Sequence, residues 1–343
     1  MGILPVLVKL PYFLRVARTM KCAIDEWRPD AVVTIDYPGM NLKLAAYAKS
    51  RGIPAVHVVC PQVWAWHQGR IPKIAAGVTR LMCFFPFEPP LFDGVEAKDF
   101  KAMFVGHPLL DMAREKSETP NSPTHPLVAL LPGSRVGEIS RILPRLLKVA
   151  ELLGEDVRFE IPAATPRALE QINGIVGEWV SGGVGELGVE KRRSSMNVRL
   201  GGARDVLRRA TVAAVASGTA TLEAALVGCP TALVYAASPT FAFAVRHFVK
   251  GVRHAGLANV IADKCGGEPP MPEFLQEDFV PERVAELLRK WLDDETARAE
   301  AKAALAKTME KLTSGGDALG LVANEIRSLT SSPTHPPTHQ PTR

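Results

Sequence analysis

Residues 128–139 read VALLPGSRVGEI. An apolar run stops at Pro132, a glycine follows, and Ser134 and Arg135 precede a segment with apolar residues at helical spacing. A buried strand turning directly into a helix is the repeating unit of a parallel α/β sheet. A glycine, a hydroxyl and a guanidinium at that turn stand where a helix N-terminus offers N–H groups to an anion. A capped helix carrying a surface arginine accounts for the tetrapeptide equally well.

The same alternation extends outward in both directions. Apolar runs at 31–35, 55–59, 81–85 and 102–105 precede it, and runs at 127–131, 157–161, 197–200, 212–216 and 231–235 form the second series. Continuously apolar strands alternating with helices predict parallel sheets covered on both faces. The polar, proline-rich SETPNSPTHP at 117–126 reads as an interdomain linker. The expected organisation is a Rossmann-like domain over 1–116, the linker, a second Rossmann-like domain over 127–294, helices over 295–330, and a low-complexity, disordered tail over 331–343.

A chain of 343 residues, 47% hydrophobic and 22% charged, suits a soluble protein of two domains. No run of 18 apolar residues predicts a spanning helix. The opening MGILPVLVKLPYFL is broken by Pro5, Lys9 and Pro11, and lacks a small-residue cleavage site, so no signal peptide is read there. Five scattered cysteines without a CxxC predict reduced thiols in a cytoplasm, and no His/Cys spacing suits zinc. No metal or cofactor is expected. A net charge of +5 suits an anionic partner. The basic residues are scattered and match no nucleic-acid module, so nucleic acid is not the expected one.

Other strand ends also carry chemistry. In VAAVASGTATLEAAL (212–226), Ser217, Gly218 and Thr219 form a second hydroxyl and N–H cradle, and Glu223 lies about a turn beyond, able to accept from a ribose diol. A capping box with a solvated glutamate is the alternative. Two cradles in one domain favour a nucleotide diphosphate. In AVVTIDYPGMNL (31–42), Asp36 follows a buried run and precedes a Pro-Gly turn and Asn41; it suits a general base, or equally an Asx-turn. CPQVWAWHQGRIPKI (60–74) sets Trp64 and Trp66 beside His67, Arg70 and Lys73, which suits sugars, acyl chains or phosphates, although alternate tryptophans on a β-segment would share a core face. His107, in FVGHPLLD, fits a hinge or core position better than a catalyst.

Together, IDYPGMNL, PQVWAWHQGRIPKI, FPFEPPLF, VGHPLLD, LLPGSRVGEI and ASGTATLEAAL, in that order, closely resemble lipid-A-disaccharide synthase, an inverting GT-B glycosyltransferase, over about residues 1–325. The resemblance implies two Rossmann-like domains with a cleft between them, and metal-independent transfer from UDP-2,3-diacylglucosamine to 2,3-diacylglucosamine 1-phosphate (lipid X), releasing UDP. It assigns Asp36 as base, and Gly133, Ser134 and Arg135 to the donor diphosphate. Ser217, Gly218, Thr219 and Glu223 fall on the nucleotide-holding segment, Asn259 on an asparagine near the nucleotide, and Gln276 on a polar motif position. Asn41, Trp66, Arg70 and His107 are candidates for acceptor or cleft contacts. Acylated substrates imply a cytoplasmic enzyme peripheral to the inner membrane. Amphipathic patterns at 10–27 and 241–253, both with basic residues, suit an anionic interface, or equally a core-facing helix with a solvated basic face.

The chain departs from the family at its start, where the leading strand and a Gly-Glu-x-Ser-Gly-Asp loop are missing. Either the start is assigned too late or the chain is a truncated form; in the second case the expectation is a shortened first domain whose sheet exposes an unpaired edge or face. Two rivals stay open: another GT-B enzyme of UDP-sugars, and a non-catalytic nucleotide-sugar-binding remnant. The sequence sets no oligomeric state.

Overall fold

The structure, a computed structural model, describes residues 10–110, 125–182, 194–237, 253–313 and 317–330. Most of the expected linker, the expected tail, and the 241–253 pattern apart from Arg253 lie outside the described residues. The chain divides into two compact units, Met1–Pro108 with Thr313–Arg343, and Leu109–Leu312.

The first unit opens with helix α1 (Leu10–Trp27) and continues as β1 (Val32–Ile35), α2 (Pro38–Ser50), β2 (Ala55–Val58), α3 (Ile71–Gly77), β3 (Arg80–Cys83) and β4 (Lys101–Phe104). The strands form a parallel sheet in the order β1-β2-β3-β4. Ile24 of α1, Ala45 and Ala48 of α2, and Ile74 and Ala75 of α3 pack with Ala55, Leu81 and Cys83 on one face. Among the described residues β1 ends the sheet, with Val33 and Ile35 exposed.

The second unit holds six parallel strands: β5 (Leu127–Leu131), β6 (Arg158–Ala163), β7 (Met196–Leu200), β8 (Val212–Ala216), β9 (Thr231–Tyr235) and β10 (Glu273–Leu275). Its helices are α4 (Val136–Leu153), α5 (Pro166–Ser181), α6 (Ala203–Arg209), α7 (Thr219–Leu226), α8 (Leu257–Lys264), α9 (Pro281–Asp293) and α10 (Glu295–Thr313). The order β10-β9-β8-β5-β6-β7 is that of a doubly wound dinucleotide fold, and it reverses direction between β5 and β8. Every residue of β5 and β8 is buried, as continuous apolar runs between two helical layers require. α4 supplies Ile139, Ile142, Leu143, Leu146, Leu147 and Leu153 to the core. At about 1.5–3 kcal/mol for each fully buried large aliphatic side chain, that stripe dominates the attachment of α4.

One expectation needs correction. The helical region 295–330 is not one C-terminal piece: α10 belongs to the second unit, whereas α11 (Ala318–Thr330) belongs to the first. Val322, Ile326 and Leu329, spaced four and three residues apart, cover Val56, Val58, Met82 and Val105 on the other face of the first sheet. Glu325 of α11 fixes this packing through an ion pair with Arg80 at 2.5 Å. The strand β10 escapes sequence reading, because its three residues lie among prolines and glutamates with no alternation.

Candidate active site

Two of the second unit's strand ends matter most. β5 and β8 are neighbours at the switch point, so the PGSR and SGT turns that follow them emerge side by side. Helices leaving adjacent strands there diverge, which opens a crevice at the carboxyl ends of the strands. The pocket found there, of about 400 Å3, is lined by seven of the nine residues assigned to donor binding: Gly133, Ser134, Arg135, Ser217, Gly218, Thr219 and Glu223. It also contains Glu138 and the Gly201-Gly202 pair.

Gly133 is required on two counts. Its φ of +100° disfavours any side chain, and an added Cβ would stand 2.8 Å from an oxygen of Glu138. Glu138 occupies the third position of α4, accepts from the Arg135 N–H at 3.4 Å and holds the Arg135 guanidinium at 2.7 Å. The capped-helix reading of PGSR is therefore correct and compatible with the anion-site reading. Arg135 remains 70% exposed, and its other guanidinium N–H groups stay available for a ligand.

At the second cradle the alternative does not hold. α7 starts after Gly218 with no side-chain cap, and Glu223 lies beyond the third helical position where a capping box would place it. Glu223 instead lines the pocket, 4.0 Å from Arg204. Gly201 and Gly202, with φ of 69° and 73°, turn β7 into α6 along the pocket wall. The string LGGAR was the signal available for them.

Asn259 and Gln276 are not among the residues that line this pocket. Asn259 is fully buried; its amide donates to the Met271 carbonyl at 2.7 Å and to Glu273 at 2.8 Å, and accepts from the Met271 N–H. Glu273 in turn accepts from the N–H groups of Ala255 and Gly256, and the Ala255 carbonyl accepts from the Ser217 hydroxyl at 2.7 Å. Asn259 thus supports the cradle at second hand. Gln276, in a left-handed conformation, accepts from Ala237 N–H at the end of β9.

In the first unit, Asp36 and Tyr37 both adopt left-handed φ, 50° and 46°. Asn41 clamps this strained turn by donating to the carbonyls of Ile35 and Asp36, at 3.0 and 2.9 Å. Its Nδ2 group is committed to the turn. Among the described residues α2 has no side-chain cap, so the Asx-turn alternative is absent and Asp36 lies exposed at the end of β1. Behind it, His57 is fully buried, with Nδ1 2.8 Å from the Thr34 hydroxyl. Burial pushes its pKa down to about 4, against the opposing pull of Asp36.

The WAW segment is a turn rather than a β-segment, so its tryptophans part company. Trp64 is buried and donates to Glu88 at 3.2 Å, whereas Trp66 is exposed beside His67. Glu88 also accepts from the N–H groups of Phe84 and Phe85, yet burial dominates and raises its pKa to about 8. Its carboxylate and the thiols of Cys60 and Cys83 lie within 4.8 Å of one another, a juxtaposition spacing did not reveal. Each thiol donates to a backbone carbonyl and Glu88 has three N–H donors, so the cluster is satisfied as packing. His107 sits against the rings of Phe84 and Phe85, and burial lowers its pKa to about 4. Arg70 and Lys73 are exposed.

A doubly wound parallel sheet in one unit and a second parallel α/β sheet in the other are the architecture of the GT-B class. Solved structures share this fold: CalG4, the calicheamicin glycosyltransferase, matches with a TM-score of 0.56 at 14% identity, over 96% of this chain and 82% of its own. The S. aureus MnaA–UDP co-structure matches with a TM-score of 0.59 at 12% identity, over 96% and 82%. The sequence profile of the family described as Lipid-A-disaccharide synthetase matches residues 1–318, and the chain belongs to that family. The lipid-A-disaccharide synthase of Geobacter metallireducens is 33% identical over 325 residues, covering 92% of this chain and 79% of the relative.

Proposed function

We propose that the chain is a hexosyltransferase that joins UDP-2,3-diacylglucosamine to 2,3-diacylglucosamine 1-phosphate, forming the lipid A disaccharide 1-phosphate and releasing UDP. Family membership supports the reaction. The observation that carries the site assignment is the convergence of PGSR and SGT on one pocket at the switch point. The diphosphate of the donor is assigned to Arg135, the Gly133-Ser134 turn and the start of α7. Negative charge develops on the leaving phosphates, and a guanidinium with backbone N–H groups stabilises it. Glu223 accepts from the ribose diol.

Asp36 is assigned as the base that takes the proton from the acceptor hydroxyl. An exposed carboxylate on a strained, clamped turn suits that role, because its position is held without using its oxygens. Attack on the face opposite the departing UDP inverts the anomeric centre. Assaying UDP release with both lipid substrates tests the reading. Wild type needs both, and Asp36→Ala and Arg135→Ala each collapse turnover. Wild-type turnover in either variant removes the role assigned to that residue.

Peripheral association with an anionic cytoplasmic membrane face is part of the proposal. Among the described residues no helix is long and apolar enough to cross a membrane. α1 exposes Tyr12, Leu14, Met20 and Trp27, interspersed with Arg15, Arg18 and Lys21. Such a face suits the boundary between headgroups and acyl chains. Salt-sensitive co-sedimentation with anionic vesicles checks it, and equal binding to neutral vesicles counts against the electrostatic part.

A further inference from the structure

We propose that a second pocket, within the first unit, holds the phosphate and the adjoining acyl segment of a phosphorylated acyl-sugar. This rests on the transferase reading above, for which that ligand is the acceptor. The pocket, of about 280 Å3, lies between α2 and α3. Leu42, Ala46 and Ile74 supply an apolar floor, and Lys43, Arg70 and Lys73 add three cations. All three cations are exposed, and none forms an ion pair with a carboxylate among the described residues.

The pocket combines two chemistries that a single amphiphile carries. Three unneutralised cations around one concavity match a phosphate dianion. The apolar floor adds nothing for inorganic phosphate, but excludes water from an acyl segment next to the headgroup. Position supplies the third argument. Pro38 and Gly39 begin the lining, two and three residues beyond Asp36. The lining therefore begins at the start of α2, the helix that leaves the turn carrying the assigned base. The donor's phosphates already have their cradle in the second unit, which leaves this cationic pocket to the acceptor.

The test is a variant, K43A/R70A/K73A, made at three exposed positions, with its melting temperature compared with wild type to verify folding. KM is measured separately for the donor, the phosphorylated acceptor and an acceptor lacking the phosphate. The expected result is an acceptor KM raised about tenfold, in proportion to three exposed charge pairs. The donor KM stays unchanged and the preference for the phosphorylated acceptor is lost. An unmoved acceptor KM, or a donor KM rising in step with it, overturns the proposal.

Absence of any transfer by wild type refutes the transferase reading instead. The pocket is then judged by equilibrium binding of the phosphorylated acyl-sugar in detergent, where equal affinity in wild type and variant overturns it. Inorganic phosphate competing as well as the amphiphile would refute the acyl contact. Loss of anionic-vesicle binding with acceptor KM unmoved would assign the cations to the membrane surface.

Discussion

The two units solve the problem of placing charge at a strand end in different ways. In the second, the cradle is backbone: glycines, helix starts and one arginine at a sheet reversal, above strands that are buried throughout. In the first, the described strands run in simple order with no reversal, and the charge sits on a strained non-glycine turn held by Asn41. A backbone cradle suits a ligand whose charge is fixed, such as a diphosphate. A side chain on a clamped turn suits a group that must gain and lose a proton.

The largest expected consequence of this contrast is at Asp36. Asp36→Asn keeps the turn but loses the base, and should lower kcat by about 10²–10⁴-fold with UDP affinity unchanged. Steady-state kinetics beside UDP titration reads both, and a parallel loss of UDP binding would break the division of labour. Arg135→Ala should lower turnover as well but, unlike Asp36→Asn, should also weaken UDP about 10–100-fold, the range for a hydrogen bond to a charged group. Wild-type affinity in that variant would move the diphosphate elsewhere.

Asn259→Ala sharpens the contrast from a distance. It strands the Met271 N–H and carbonyl in a fully buried site, and should cost about 1–3 kcal/mol in chemical denaturation. It should also weaken UDP modestly, through the backbone that receives Ser217. Unchanged stability would show that the clamp carries no load.

The smallest effect is a pH dependence peculiar to the first unit. His57 and His107 stay neutral down to about 4, whereas in the unfolded chain they bind protons below about 6.5. Their contribution to stability is therefore lost as pH falls through that window. Glu88 has the opposite sign: it keeps its proton up to about 8, whereas the unfolded chain releases it near 4.5. Its contribution is lost as pH rises between those values. With two histidines against one carboxyl, stability from these groups should peak near pH 6.5, the ordinary histidine value. Glu88→Gln should flatten the decline between 6.5 and 8 in denaturation curves. A decline of unchanged slope would remove Glu88 from the account.

The same contrast explains what the sequence made legible. PGSR and SGT are local strings at the ends of apolar strands, so their chemistry can be read from neighbours in the chain. That they meet in one pocket depends on β5 pairing β8 across more than eighty residues, which no local pattern states. The structural role of Asn259 is hidden for the same reason, since its partners lie on β10 and the segment before it. The return of α11 to the first sheet is likewise non-local: its apolar stripe indicates burial but does not name the face it buries against. The parting of Trp64 and Trp66 follows from a turn that no alternation rule describes.

The central claim is that the second unit binds the donor nucleotide and that Asp36 of the first performs the proton transfer. It is tested most directly by following UDP release from UDP-diacylglucosamine, with and without the phosphorylated acceptor, in wild type and Asp36→Asn. The account predicts acceptor-dependent release by wild type, and normal UDP binding with almost no release by the variant. Release at the wild-type rate by Asp36→Asn, or failure of wild type to bind UDP, would contradict it.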